Sequence, residues 1–172
     1  MVFFGHLGIG STLVHPWTRN LRKLKWVFLG TLLPDLIDKP LYYGLSWLTG
    51  KSGAELGAAT GLISGTRTLG HTAIFLMALA LLCFAKKSKT LAALVLGVVS
   101  HLVLDGCTAA IMGDPKHEFF QVVLWPYPNG LFPAYSYENL KDHLSFWQRP
   151  FLLYSELVGA ALLLTRFRKK AR

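Results

Sequence analysis

The residues best suited to chemistry in this chain, His101 and Asp105, stand inside the apolar stretch 91–110. Because they are four residues apart, their side chains share one face of a helix. Ionisable groups are costly at membrane depth, where they persist mainly by pairing, coordinating a cation or lining a wet cavity. The pair therefore indicates a functional site. The alternative is a His–Asp hydrogen bond that only helps the helix to pack.

Three other apolar stretches carry the same kinds of side chain. They contain His6, the pair Asp35 and Asp38, and His71. Imidazole nitrogens and carboxylate oxygens together suit zinc, manganese or iron, with zinc preferred for this mixture. This many ligands would hold one to three divalent ions.

Composition indicates an integral membrane protein. Mean hydropathy is +0.40, 52% of residues are hydrophobic and only 16% are charged. Without a linker or repeat, residues 1–172 form a single all-α domain, a polytopic bundle of four to five membrane helices. The predicted spans are 2–14, 26–48, 69–85, 90–112 and 151–165; the first and last are short against the roughly 20 residues that cross a bilayer.

Positive charge orients this bundle. Twelve of the 18 Lys and Arg residues fall in the clusters 19–25, 86–89 and 166–172, which contain none of the nine acids. The positive-inside rule places these clusters in the cytoplasm and the loops 49–68 and 113–150 outside. A net charge of +9 is then explained by topology and anionic lipids, so membrane lipids are the expected partners and nucleic acid is not.

The predicted topology brings the candidate ligands to one depth. At about 1.5 Å rise per residue, all of them fall in one layer in the outer half of the bundle. Pro34 should kink its helix beside Asp35, and glycines should let helices approach closely around the site. Those glycines are Gly5, Gly8, Gly10 and Gly97.

Four motifs, in this order, resemble those of the YdjM-type family of inner-membrane-associated metal-dependent hydrolases. They are GTLLPDLID (30–38), RTLGHT (67–72), GVVSHLVLD (97–105) followed by Cys107-Thr108, and LWPY (124–127). The resemblance covers residue 1 to about 127. The chain lacks the first histidine of the family's usual motif before His71.

That family is similar to the all-helical superfamily of zinc-dependent phospholipases C and single-strand nucleases, which cleave phosphate esters. The resemblance implies a multi-pass inner-membrane enzyme that hydrolyses a phosphate ester, either a small molecule or a lipid or lipid-linked substrate. It also implies a metal site. The ligands carried over by motif position are His6, Asp35, His71, His101 and Asp105.

The expected chemistry needs a carboxylate that takes a proton from water activated by a divalent ion. Asp38 and Asp105 are the predicted catalytic carboxylates, with Asp38 as proton acceptor and Glu156 as a lesser candidate. The alternative for Asp38 is an ion pair with Lys39 or Arg67. The polar, turn-rich loop 113–150 is predicted to fold over the site as a lid.

Other functions are weighed against this one. Buried His and Asp also line pathways for divalent cations or protons, so a transporter or channel is one alternative. A structural protein whose metal only staples the helices is another. Cys83 and Cys107 are predicted at opposite ends of the bundle and unbridged, and no nucleophile elbow or phosphate-binding loop is present. The oligomeric state is left open.

Overall fold

The computed structural model describes residues 3–17, 21–112, 118–127, 130, 132–133 and 148–171, and regular structure within these ranges is helical throughout. A π-helix, Gly5–Gly10, runs into a short α1, Ser11–Leu13, and a 3₁₀ turn, His15–Trp17. The remaining elements, in chain order, are α2 (Leu21–Thr49), α3 (Gly53–Thr60), a 3₁₀ turn (Leu69–His71), α4 (Ala73–Lys86), α5 (Lys89–Met112), α6 (Glu118–Val123) and α7 (Pro150–Ala171).

Helices overlap each of the five predicted spans, but their lengths and compositions differ. Within the described residues, Lys89–Met112 and Pro150–Arg168 are long and apolar enough to cross a membrane. α4 is apolar but has 14 residues, and the 29 residues of α2 include charged side chains along its length. Four to five spans therefore remain a prediction.

Close packing of α2 against α5 builds the centre of the fold. The two helices cross at glycines. A Cβ added to Gly30 would lie 2.1 Å from the carbonyl oxygen of Leu94, and one added to Gly97 would lie 2.4 Å from that of Val27. Because no side chain separates the backbones, the next turn of α2 comes within hydrogen-bond distance of α5.

The π-helix Gly5–Gly10, here called the N-terminal helix, packs directly against α7. A Cβ on Gly8 would lie 2.0 Å from the carbonyl oxygen of Gly159, so the two backbones touch. At one end of this contact the Glu156 carboxylate accepts backbone hydrogen bonds from Phe3, Phe4 and Gly5. These donors begin a helix, where N–H groups lack helical partners and a negative charge is stabilising.

The described part of the loop 113–150 lies beside α5 and the segment before His71. Phe119 of α6 packs against Gly106, and buried Phe132 bonds through its backbone to Leu62 and Ser64. Residues 113–117 and 134–147, with His117 and His143, lie outside the described residues. The lid stays a prediction.

Candidate metal centre

Four separate elements bring the five predicted ligands into one cluster. His6 comes from the π-helix, Asp35 from α2, His71 from the 3₁₀ turn, and His101 and Asp105 from α5. The three imidazoles and Asp105 are at most 2% exposed, whereas the Asp35 side chain is 15% exposed. Two triplets have ligand atoms within 4.8 Å of one another: His6, His101 and Asp105; and Asp35, His71 and His101. His101 belongs to both.

Asp105 lies at the middle of the cluster. Its Oδ1 is 3.4 Å from His6 Nε2, and its Oδ2 is 3.5 Å from His71 Nε2 and 3.7 Å from His101 Nε2. Three imidazoles thus face one carboxylate. On the far side, Asp35 Oδ1 is 3.8 Å from His71 Nε2.

Hydrogen bonds determine which nitrogen of two imidazoles carries the proton. His101 Nδ1 donates to the carbonyl oxygen of Thr31, at 2.7 Å. His71 Nδ1 donates to Asp38 Oδ2, also at 2.7 Å. In the neutral rings both Nε2 atoms therefore carry lone pairs, yet they lie only 3.1 Å apart. Two acceptors at this distance need a shared cation, which is either a proton or a metal ion.

Asp38 is fully buried behind His71. Its carboxylate accepts from the backbone N–H of Thr68 at 2.7 Å and of Gly70 at 2.9 Å, in addition to His71. A carboxylate that bonds the outer nitrogen of a ligating imidazole is the usual orienting partner in metal sites. This position favours an orienting role over the proton-accepting role expected from the sequence.

The 3₁₀ turn reaches α2 because Gly70 has no side chain. A Cβ there would lie 2.9 Å from Pro34 Cα and 3.2 Å from Asp38 Oδ1. Thr72 precedes α4 and caps it: its Oγ accepts from Phe75 N and donates to the carbonyl of Leu69.

His6 is held differently from the other imidazoles. Its ring stacks on that of His101, with centroids 4.0 Å apart and planes 16° apart. Among the described residues, its buried Nδ1 has no hydrogen-bond partner. Its Nε2, not its Nδ1, faces Asp105, so no hydrogen bond from a described residue fixes this ring at Nδ1 in the way that His71 and His101 are fixed.

Two cations flank the carboxylates. Lys39 Nζ lies 2.6 Å from Asp35 Oδ2, and Arg67 Nε lies 2.8 Å from Asp105 Oδ2. The sequence left open an ion pair between Asp38 and either Lys39 or Arg67. In the structure Lys39 pairs with Asp35 and Arg67 pairs with Asp105, while Asp38 bonds backbone N–H groups and His71.

The donor set fits a divalent ion. In a tetrahedral site with Zn–N and Zn–O bonds of about 2.0–2.1 Å, neighbouring ligand atoms lie about 3.4 Å apart. The contacts among Nε2 and carboxylate oxygens span 3.1 to 3.8 Å. The mixture of nitrogen and oxygen donors matches zinc, manganese or iron.

Several groups that hold the cluster in place could not be predicted from the sequence. The Thr31 carbonyl and the N–H groups of Thr68 and Gly70 belong to the backbone. Glu156, a lesser catalytic candidate from its depth, caps the N-terminal helix. The two cysteines are free, as predicted.

Over the described part of the chain, the fold and the site define an all-helical protein with a buried imidazole–carboxylate cluster, in which two helices are long and apolar enough to cross a membrane. The model of the YdjM inner membrane protein family matches residues 1–168, so the chain belongs to that family. No curated protein and no solved structure matches the chain.

Proposed function

We propose that this chain is a metal-dependent hydrolase of phosphate esters. One observation carries the proposal: the Nε2 atoms of His71 and His101 meet at 3.1 Å, each ring having its Nδ1 bonded to an acceptor. Rings held in this way present lone pairs toward a cation. The proposed ligands are the five residues of the cluster, with zinc preferred.

A divalent ion bound there supplies a Lewis acid for a phosphoryl oxygen and lowers the pKa of a water molecule. The chain's own residues hold and orient it. Asp38 and the Thr31 carbonyl fix the ring planes of His71 and His101, and burial of all three imidazoles excludes bulk water. Only Asp35, among the ligands, is partly exposed, so substrate approaches from its side.

Asp105 is the proposed proton acceptor. It lies within 3.4 to 3.7 Å of three imidazole nitrogens, and Arg67 bonds Oδ2, the oxygen that also faces His71 and His101. A proton taken at Asp105 Oδ1 faces His6 Nε2. Asp38 is assigned the orientation of His71, because three donors already occupy its oxygens.

We place the protein as a multi-pass protein of the inner membrane, with the site toward the extracytoplasmic side. Lys23 and Lys25 lie at the start of α2, Lys86 ends α4, and Arg166 near the end of α7 bonds Ser11. These cations share one end of the bundle, which the positive-inside rule makes cytoplasmic. Topology reporters fused after residues 60 and 87 should report outside and inside, respectively.

The decisive experiment measures metal content and turnover of phosphodiesters by the purified protein in detergent. His101→Ala is compared with His15→Ala, a histidine that lies outside the cluster and is exposed. The proposal predicts bound divalent metal and turnover that His101→Ala abolishes and His15→Ala retains. Metal-loaded protein that cleaves no phosphodiester or phospholipid would overturn it.

The alternatives give different results in the same preparation. A metal staple predicts that His101→Ala lowers the melting temperature only when metal is present, without any catalytic change. A transporter predicts metal or proton flux in proteoliposomes, which the hydrolase does not need.

A further inference from the structure

A cavity of about 260 Å³ opens beside the metal centre, between the N-terminal segment and α2. The α2 residues that line it recur at helical spacing, so they lie on one face of the helix. The lining is apolar except at Asp35 and Lys39. The lining residues are Phe3, Leu32, Asp35, Leu36, Lys39 and Pro40.

The polar end of this cavity is part of the metal centre. Asp35 Oδ1 is 3.8 Å from His71 Nε2, while Asp35 Oδ2 is 2.6 Å from Lys39 Nζ. A group lodged against Asp35 and Lys39 would therefore lie next to the imidazole cluster. It would meet a positive ammonium there, together with any cation the cluster holds.

The apolar end opens at the outside of the bundle. Leu36 is 55% exposed and Phe3 is 46% exposed. Exposed apolar surface marks sites of contact with a membrane or a partner, and in an inner membrane protein family lipid is the apolar phase at hand. A chain could then enter sideways from the bilayer, without leaving an apolar environment.

We infer that this cavity binds the hydrocarbon chain of an amphiphilic phosphate ester drawn from the membrane, with its phosphate at Lys39 and Asp35. The inference rests on the proposed hydrolysis and names its substrate class. Lys39 then has two partners: Asp35 when the cavity is empty, and the anionic phosphate when substrate is bound. An ammonium binds phosphate as a point charge, so the same side chain serves both.

The first test uses a series of phosphodiesters that differ only in acyl-chain length. Burial of each methylene should raise kcat/KM by up to about fourfold until the cavity is full. Leu32→Trp fills the cavity and should abolish this dependence on chain length, and metal content measured in the same samples shows whether the cluster is intact. The matched control is Leu29→Trp, on the same helix but outside the lining.

The second test does not need turnover. A non-hydrolysable phosphonate lipid with a photoreactive acyl chain should label Phe3 or Leu36 in the wild type. Leu32→Trp should reduce that labelling without changing the labelling of Phe84, an 83% exposed side chain on α4 that serves as a lipid-facing reference.

The two tests separate the inference from the proposed function. Hydrolysis that ignores chain length, together with equal labelling in wild type and Leu32→Trp, overturns the chain-binding cavity and leaves the hydrolase intact. Selective labelling without hydrolysis of any diester supports the cavity and overturns the hydrolase.

Discussion

The two halves of the imidazole–carboxylate cluster are held by different means. In the half formed by α2, α5 and the 3₁₀ turn, Asp38 and the Thr31 carbonyl bond the outer nitrogens of His71 and His101 directly. In the N-terminal half, His6 has no such bond in the part of the chain that the structure describes, and its helix is held by α7. In one half the imidazole side chains are themselves held by hydrogen bonds, whereas in the other half only the backbone of the helix is held.

This difference separates ligand orientation from helix placement. A ring fixed at Nδ1 keeps its direction when distant packing changes, whereas a ring placed only by its helix moves with that helix. The predictions below test this contrast through metal affinity, from the largest expected effect to the smallest.

Removal of a ligand from each half should have unequal effects. We expect His71→Ala to weaken metal binding more than the roughly 10–100-fold that the loss of an orienting partner costs. His6→Ala should weaken it less, because the other four ligands keep their positions. Metal titration by calorimetry, with His15→Ala as control, checks the order. A larger loss in His6→Ala would reverse the contrast.

Asp38→Asn tests orientation in the side-chain-held half. The amide has one acceptor oxygen for three donors, so metal affinity should fall by about 10–100-fold. Turnover per bound ion at saturating metal should be nearly unchanged. If Asp38 accepts the proton instead, that turnover falls by about 100-fold or more.

Gly159→Ala tests placement in the backbone-held half. Its Cβ would lie 2.0 Å from the Phe4 carbonyl oxygen, so α7 must shift, at a cost of about 1–3 kcal/mol in unfolding free energy. Metal affinity should fall modestly, through His6. Gly44→Ala is the control: nothing lies within 4 Å, and the helix should gain about 0.5–1 kcal/mol. Denaturant unfolding in detergent measures both.

Glu156→Gln should have the smallest effect. Its carboxylate accepts from three backbone N–H groups, of which the amide oxygen can keep some, so unfolding free energy should fall by about 1 kcal/mol. Any loss of metal affinity should disappear in a His6→Ala background, because Glu156 acts through His6. A loss that persists there would show that Glu156 reaches the ion by another route.

The sequence identified the helices and the residues that cluster because both depend on local patterns. Apolar runs of helical length mark the elements, and ionisable residues inside them are costly enough to stand out. The same patterns could not give the role of Asp38. Its spacing from Asp35 suits a second carboxylate in the site, but the 3₁₀ turn at Gly70 brings three donors to it from a segment 30 to 33 residues away.

By itself the sequence determined the family, the types of the clustered side chains and the charge clusters, since these are properties of side chains in order along the chain. Only the tertiary structure decided which atoms hold the clustered side chains in place. The Thr31 carbonyl meets His101 because Gly30 and Gly97 let two helices touch, and Glu156 holds the helix of His6 from 150 residues away. Backbone groups are the same at every residue, so their partners are set by packing and leave no pattern in the amino-acid order.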